Sequence, residues 1–416
     1  MNVLALNCGS SSLKYRMYRL PGGNEVAGGE AERIGPPTAE PARITHRSGE
    51  SEEIHEIEMP DHATAFDRVD ELLSETPALS PDAIGHRMVH GGEEFTGHAL
   101  VDEDVMAGLR RVEDLAPLHN PPAMRLLNAC QRRYPSIPQA VVFDTVFHAS
   151  IPEHAHTYAL SKRLRKDLGL RKYGFHGISH QYVSTETARM LGVPMEEFNA
   201  VSCHLGSGGA SLCAVRNGRS VDNTMGFSPL QGLVMSTRSG DLDPAAVLRL
   251  VDHFGVDTEE VEDFLNRESG VLGLSGTSSD IRDVLAPQDG DVDEERHHAA
   301  AQIYLWRIRK YLGAYLTAAG GAHAIIFTDT VGETVPAVRT AVCSDMGEFG
   351  IHLDPELNAD PGALPADIAN DNSPVRVFVM PTNEELAIAR ATRELAGEET
   401  QKASFETGGR DENTCA

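Results

Sequence analysis

Cysteine, tryptophan and positive charge are all scarce in this chain. Its 416 residues include six cysteines and one tryptophan. The cysteines, Cys8, Cys130, Cys203, Cys213, Cys343 and Cys415, never form a C-x-x-C pair. That excludes the common zinc and dithiol motifs, and their scatter suits a reducing compartment. No apolar run approaches the roughly 20 residues needed to span a bilayer. Met1 to Cys8 has no basic region and too short an apolar run for a signal peptide, so a cytoplasmic protein is expected. Lys and Arg number 36 against 62 Asp and Glu, a net charge of −26. Such a chain lacks a broad basic surface for nucleic acid or an anionic membrane, yet a few local cations can still hold a small anion. Hydrophobic residues make up 41%, enough for folded domains rather than wholesale disorder.

The pattern along the chain is that of an α/β protein. Val3–Leu6 reads as a buried strand, broken at Cys8-Gly9-Ser10-Ser11-Ser12 and resumed from Leu13 to Leu20. A strand pair is expected around Arg43–His46 and Ile54–Met59. Phe66, Val69, Leu72 and Leu73 share one helical face, and Val105, Leu109 and Val112 mark a second helix. Ala83–Val89 and Gln139–Phe147 read as strands, and Asn120-Pro121 as a helix cap. The second half repeats this grammar. Strand Ala200–Leu205 leads into the turn Gly206-Ser207-Gly208-Gly209, then strands Ser211–Val215 and Ser220–Asn223 around Asn217-Gly218. A helix capped by Asp243, a long helix ending at Gly320-Gly321, strands Ala322–Thr328 and Val375–Met380, and a helix capped by Asn383 follow. Two halves that each open with strand, Gly/Ser turn, strand imply a duplicated α/β domain with a cleft between the copies. From Gly397 the composition is polar and a disordered tail is expected.

Several segments carry residues suited to anion chemistry. Asn7 to Lys14 offers backbone N–H groups, hydroxyls and one ammonium to a phosphate, without the P-loop spacing. The turn at Gly206 could do the same. Arg87 lies within a strand bounded by glycines, and Arg238 sits in Met235-Ser236-Thr237-Arg238-Ser239-Gly240. An arginine in such a place suits bidentate recognition of carboxylate or phosphate, and equally a structural ion pair. Asp144 ends an apolar strand and Glu384 opens a helix, so both are candidate magnesium ligands as well as candidate caps. Of the histidines in glycine-rich or strand-end contexts, His119, His148, His176, His180 and His204, none has zincin spacing. His176 is the one favoured for function.

Together these segments resemble the acetate kinase family. The motifs are Gly85-His86-Arg87-Met88-Val89-His90-Gly91-Gly92, Ala116-Pro117-Leu118-His119-Asn120-Pro121, Phe143-Asp144-Thr145, Tyr173-Gly174-Phe175-His176-Gly177-Ile178-Ser179-His180, Thr237-Arg238-Ser239-Gly240-Asp241-Leu242-Asp243-Pro244 and Pro381-Thr382-Asn383-Glu384-Glu385-Leu386. They occur in the family's order between residue 2 and about residue 396. The resemblance implies two ribonuclease-H-like (actin-like ATPase) domains: residues 1–149 with 383–396 on the acyl side, and 150–382 on the nucleotide side. It also implies reversible, direct in-line transfer of the ATP γ-phosphoryl group to acetate with magnesium or manganese, in a homodimer. By resemblance, Arg87 and Arg238 clamp the acyl carboxylate and the phosphoryl group in flight, and His176 hydrogen-bonds that group with His119 nearby. Asn7, Asp144 and Glu384 organise the metal, and Val89, Leu118, Phe175 and Pro229 line the acyl pocket. Asn7, Ser10, Ser12, Lys14, His204, Gly206, Ser207 and Gly208 lie along the phosphates. Asp280, Ile281, Arg282 and the Ile326–Thr334 segment, with Thr330, Val331, Gly332 and Glu333, hold the nucleoside.

The departures from the family pattern gather at the donor end. Ser207 stands for a usual asparagine, Gln231 for a glutamate and Ser236 for a glycine. Thr328-Asp329-Thr330-Val331-Gly332-Glu333-Thr334 replaces Thr-Ala-Gly-Ile-Gly-Glu-Asn. Pyrophosphate as donor, and propionate or butyrate as acceptor, are therefore the alternatives carried forward, with a non-catalytic nucleotide switch as a third.

Overall fold

The apolar N-terminal run forms β1 (Asn2–Cys8), the centre of a first sheet, and the matching run in the second half forms β9 (Ala200–Leu205), the centre of another. The structure, a computed structural model, describes residues 1–36, 40–75, 80–286 and 293–408. It divides into two units, Met1–Val146 with Asn383–Ala416, and Phe147–Thr382. Among the described residues no helix is long and apolar enough to cross a membrane.

In the first unit β1 pairs antiparallel with β2 (Ser12–Arg19), which pairs antiparallel with β3 (Asn24–Glu32). On its other edge β1 pairs parallel with β6 (Ala83–Met88), and β6 with β8 (Gln139–Phe143). A hairpin of β4 (Arg43–Ser48) and β5 (Ser51–Glu56) extends one side, and the short β7 (Ala99–Leu100) closes the other. Leu4, Leu6, Leu13, Met17, Phe66, Val69, Leu127 and Phe143 fill the core. The helices His62–Ser74 and Asn120–Arg133 pack against one another. The helix Glu384–Gly408 lies on β1, β6 and β8 and buries Leu386, Ile388, Ala389 and Thr392. Thr392 joins this buried face by donating its hydroxyl to Ile388 O one turn back.

The second unit repeats the plan. β9 pairs antiparallel with β10 (Ala210–Arg216), which pairs antiparallel with β11 (Arg219–Asn223). β9 also pairs parallel with β12 (Ala324–Thr328), and β12 with β14 (Arg376–Val379), edged by β13 (Ala366–Asp367). Both units therefore share a five-strand order with the same directions, the ribonuclease-H-like pattern that a duplication requires. The helix Gly177–Leu191 packs on β9 and β12, and Glu294–Ala319 on β9, β10 and β11. The hairpin turn between β10 and β11 places Asn217 and Gly218 at positive φ, 51° and 72°, as a two-residue type I′ connection demands.

Four local readings need correction. The strand expected at Gln139–Phe147 ends at Phe143, and Val146–Ser150 is a short 3-10 helix. β3 has no sequence counterpart above. The helix at Asn120 is preceded by His119 as N-cap, so Asn120 lies in its first turn. The Asn120 amide instead donates to the carbonyls of His90 and Val112 and accepts from the His90 N–H. The C-terminal helix continues past Gly397, where polar composition pointed to a tail, as far as Gly408. Glu398 to Lys402 contain good helix formers and no proline, and polarity by itself does not stop a helix. The rest of the expected tail lies outside the described residues.

Candidate active site

In α/β sheets, ligands gather at the carboxyl ends of parallel strands. In the first unit those ends belong to β1, β6 and β8, and they present Asn7, Arg87 and Asp144. Burial opposes the charge of Arg87, but Asp144, Glu384 and Glu385 outweigh it and hold its pKa above the ordinary value. The guanidinium donates from Nε to both Asp144 oxygens at 3.2 Å and from Nη2 to Oδ2 at 2.6 Å. Nη1 donates to Asn7 Oδ1 at 2.9 Å, and the Asn7 amide donates to Glu384 Oε2 at 3.0 Å and Glu385 Oε1 at 2.9 Å. Asp144 is buried and Arg87 nearly so. The ion pair that the sequence left open thus exists, and it leaves two guanidinium N–H groups for an incoming anion.

Among the described residues no three His, Cys, Asp or Glu side chains are grouped to enclose a metal ion. Magnesium does not need such a group, because it keeps several waters and takes one or two carboxylates. Arg87 links Asp144 to Asn7, and the Asn7 amide N–H groups reach Glu384 and Glu385, so three carboxylates are tied into one network and offer the oxygen that a hard cation prefers. They fit the metal.

The remaining expected residues of this unit are placed around that cluster. Lys14 on β2 is exposed and is the cross-strand partner of Asn7. Ser10 is exposed and Ser12 half-buried, and the Gly9 N–H donates to Ser12 O at 2.9 Å. Val89 is buried, whereas Leu118 is 56% exposed.

In the second unit the equivalent strand ends belong to β9, β12 and β14. They present His204, Asp329 and Thr382. His204 Nε2 lies 3.0 Å from Asp329 Oδ2. Burial opposes ionisation of Asp329, but His204 and the Thr330 N–H and hydroxyl outweigh it and hold the carboxyl below the usual range. A Cβ on Gly206 would collide with Asp329 Oδ2, so the carboxylate lies flush against the Gly206–Gly209 turn. Glu333 Oε1 accepts from the N–H groups of Asp329 and Thr382. The first N–H groups of the helix Asp329–Thr334 are therefore capped by this chain's own carboxylates. Arg339, fully buried, donates to Gly332 O and Glu333 O at 2.9 Å and to Asn358, tying down the end of the same helix.

His176 stands at φ 57° as the N-cap of the helix Gly177–Leu191. The carbonyl of Phe175 before it accepts from Asn223 Nδ2 at 3.2 Å and lies 2.9 Å from His148 Nε2. Burial pushes His148 down to about 4, so it is neutral near pH 7 and its ring N–H serves that carbonyl. A Cβ on Gly209 would stand 3.3 Å from Arg238 Nη2 and 3.6 Å from His176 Nε2, so both groups converge on that turn. Arg238 donates to Pro229 O at 2.9 Å and Gly208 O at 3.3 Å. It forms no ion pair with a carboxylate among the described residues, and burial lowers its pKa. Ser236 Oγ also donates to Gly208 O, while Ser207 is exposed. Phe175 is buried, and Pro229 half-buried.

Asp280 caps the helix Ile281–Leu285 and takes the Arg282 guanidinium through Nε at 3.0 Å and Nη2 at 2.5 Å. Bonding to Arg282 lowers its pKa. This is the capping role that charged residues after a Ser-rich turn suggest. Sequence reasoning missed Glu385, the His204–Asp329 pair, Arg339, and the serines behind His176. The i, i+4 spacing of His176 and His180, and the alternation of Ser202 and His204, were the available signals.

The model of the acetokinase family matches residues 2–390. The acetate kinase of Dictyoglomus turgidum is 42% identical over 409 residues, 97% of this chain and 99% of that protein. Among solved structures, the acetate kinase of Porphyromonas gingivalis superposes with a TM-score of 0.87 at 37% identity, covering 95% of this chain and 99% of that one. A propionate kinase from Francisella tularensis gives 0.86 at 34% identity, with the same 95% and 99% coverage.

Proposed function

Because the chain belongs to the acetokinase family, we propose a division of labour for its two sets of strand-end residues in an acetate kinase reaction. The reaction is reversible transfer of the γ-phosphoryl group of ATP to acetate, giving ADP and acetyl phosphate. An acetate oxygen attacks the γ-phosphorus in line as the bond to the β-phosphate oxygen breaks. Such transfer needs positioning and charge neutralisation more than covalent help from the protein.

Arg238 is the residue for the developing phosphoryl charge. The observation that carries this reading is its half-buried guanidinium, which among the described residues meets only carbonyls and converges with His176 on the Gly206–Gly209 turn. A cation held without a carboxylate gains most when an anion arrives. Arg87, fixed by Asp144 and Asn7, offers its two remaining N–H groups to the acetate carboxylate. His176 hydrogen-bonds the phosphoryl group in flight, with His119 nearby. Asp144 and Glu384, with Asn7, would hold magnesium, which neutralises phosphate oxygen charge when bound. Asn7, Ser10, Ser12, Lys14, Ser207 and Gly208 follow the phosphates. Val89, Leu118, Phe175 and Pro229 enclose the acyl methyl, and Asp280–Arg282 with Thr330–Glu333 take the nucleoside. Two domains, 1–149 with 383–396 and 150–382, would carry these tasks. A homodimer, as the resemblance implies, working in the cytoplasm, as the scattered cysteines suggest, completes the reading.

Trapping the acyl phosphate as its hydroxamate, with ATP, GTP and pyrophosphate against acetate, propionate and butyrate, tests this assignment. The expected result is the highest kcat/KM for ATP with acetate and a similar value for propionate, since one methylene is worth only about 1–3 kcal/mol. Hydroxamate with pyrophosphate alone would reassign the donor, and none with any pair would end the reading.

A further inference from the structure

Behind His176 lies a buried line of alternating serines and histidines. Ser202 on β9 and Ser211 on β10 point to the helix that carries His180, and all three are fully buried. Ser202 Oγ lies 2.9 Å from His180 Nδ1, His180 Nε2 lies 2.8 Å from Ser211 Oγ, and Ser211 Oγ lies 2.9 Å from His176 Nδ1. Each contact is a hydrogen bond whose direction follows from counting protons.

Burial keeps His180 neutral, so it carries one ring proton. Ser202 Oγ has no other hydrogen-bond partner among the described residues. If His180 Nδ1–H donated to it, the serine's own hydrogen would be buried with no acceptor, and a buried unmet donor is costly. Ser202 O–H therefore donates to His180 Nδ1. The proton of His180 must then sit on Nε2 and donate to Ser211 Oγ. Ser211, left with one hydrogen and one partner, donates to His176 Nδ1. Neutral His176 consequently carries its proton on Nε2, the atom that shares the Gly209 turn with Arg238.

We propose that Ser202, His180 and Ser211 form a one-directional relay that fixes the tautomer and ring orientation of His176, so that His176 presents a donor rather than an acceptor. His180 and Ser211 are positioning residues, acting through His176. The ligand this donor suits is an anionic oxygen such as that of a phosphoryl group, a use that rests on the phosphoryl-transfer reading above. The orientation itself does not depend on that reading.

Nitrogen-15 NMR of the ligand-free, histidine-labelled full chain, with His176 assigned through His176→Gln, reads the tautomer directly. Expected is a protonated Nε2 and a bare Nδ1 at His176. The opposite pattern would overturn the relay whatever the enzyme does. In Ser211→Ala the single tautomer should give way to a mixture, with kcat for acetyl phosphate formation falling up to about 100-fold, as for a misplaced catalytic group. KM for acetate and ATP should change little. His180→Gln, whose amide can still donate to Ser211, should recover most of kcat, whereas His180→Ala should not. If Ser211→Ala keeps both the tautomer and kcat, the relay does not hold His176. If the tautomer is as expected but wild type makes no acyl phosphate, the functional reading fails and the relay stands.

Discussion

Arg87 and Arg238, the two arginines assigned to charge neutralisation, sit in opposite settings. Arg87 is locked by Asp144 and Asn7, and through Asn7 to Glu384 and Glu385. Among the described residues Arg238 meets only two carbonyl oxygens, and burial works against its charge. Both lie in ribonuclease-H-like units of the same strand order, so the fold does not impose the difference. A paired cation is held in place before substrate arrives and costs stability if removed. Burial disfavours the charge of an unpaired one, and an arriving anion offsets that penalty. In the proposed reaction the first unit would supply a rigid anchor and the second a waiting charge.

Removing each arginine should separate these roles most sharply. Arg87→Ala leaves Asp144 buried without its partner and should lower the unfolding free energy by about 3–5 kcal/mol. Arg238→Ala loses only two hydrogen bonds to carbonyls, about 1–2 kcal/mol in all. Both should lose about 10²–10³-fold in kcat, the range for removing one preorganised donor. Arg87→Met with Asp144→Leu should regain stability but not activity, because an apolar pair can replace a buried ion pair structurally. Denaturant unfolding and steady-state kinetics on the same preparations decide it. Equal destabilisation by the two alanines would erase the contrast.

The carboxylates come next in size. Asp144→Asn and Glu384→Gln should raise the magnesium concentration for half-maximal rate by about 10- to 100-fold, the scale seen when metal-supporting groups are altered. A magnesium titration unchanged in both would return them to purely structural roles.

Acid should act on both units. Burial pushes His86 in the first unit and His148 in the second down to about 4, from an ordinary value near 6.5. Between those pH values the unfolded chain binds a proton at each position that the folded chain does not. Stability therefore falls as pH drops through that window, by up to about 1.4 kcal/mol per pH unit for each histidine. His148→Gln should lessen the slope by one histidine's share in denaturant unfolding across the window. An unaltered slope would mean His148 is not held neutral.

The smallest effect belongs to the donor end. Asp329 lies against the Gly206–Gly209 turn, and it and Glu333 cap the helix N–H groups there. Asp329→Ala with Thr330→Gly removes a negative charge and a branched side chain. It should lower KM for ATP roughly fivefold, a change of about 1 kcal/mol, with kcat nearly constant. A KM that does not move would show that His204 already neutralises Asp329 as far as ATP is concerned.

Much of this was legible in the residues. β9 appears where its apolar run predicts it, and Arg87, Asp144, Asn7 and Glu384 form one cluster although they are far apart in sequence. What escaped had weak local signals. β3 contains Gly28, Gly29 and three glutamates, poor strand formers, yet it is hydrogen-bonded on both edges. Its Gly29 is there because Thr45 O and the Tyr15 ring leave no room for a Cβ. The helix Gly177–Leu191 buries Ser179, His180, Ser184 and Thr187 alongside Ile178, Val183 and Ala188, and the polar residues dilute the apolar period. The pairing of Asp329 with His204 depends on two strands meeting side by side, which no single stretch of sequence reveals.

The most direct test of the central claim runs the reaction backwards. Acetyl phosphate and ADP with magnesium should yield ATP with the wild-type chain, read by luminescence, and the yield rate should fall about 10²–10³-fold in Arg238→Ala. Absence of ATP formation by the wild-type chain would contradict the account, and a full rate in Arg238→Ala would remove the waiting charge from its centre.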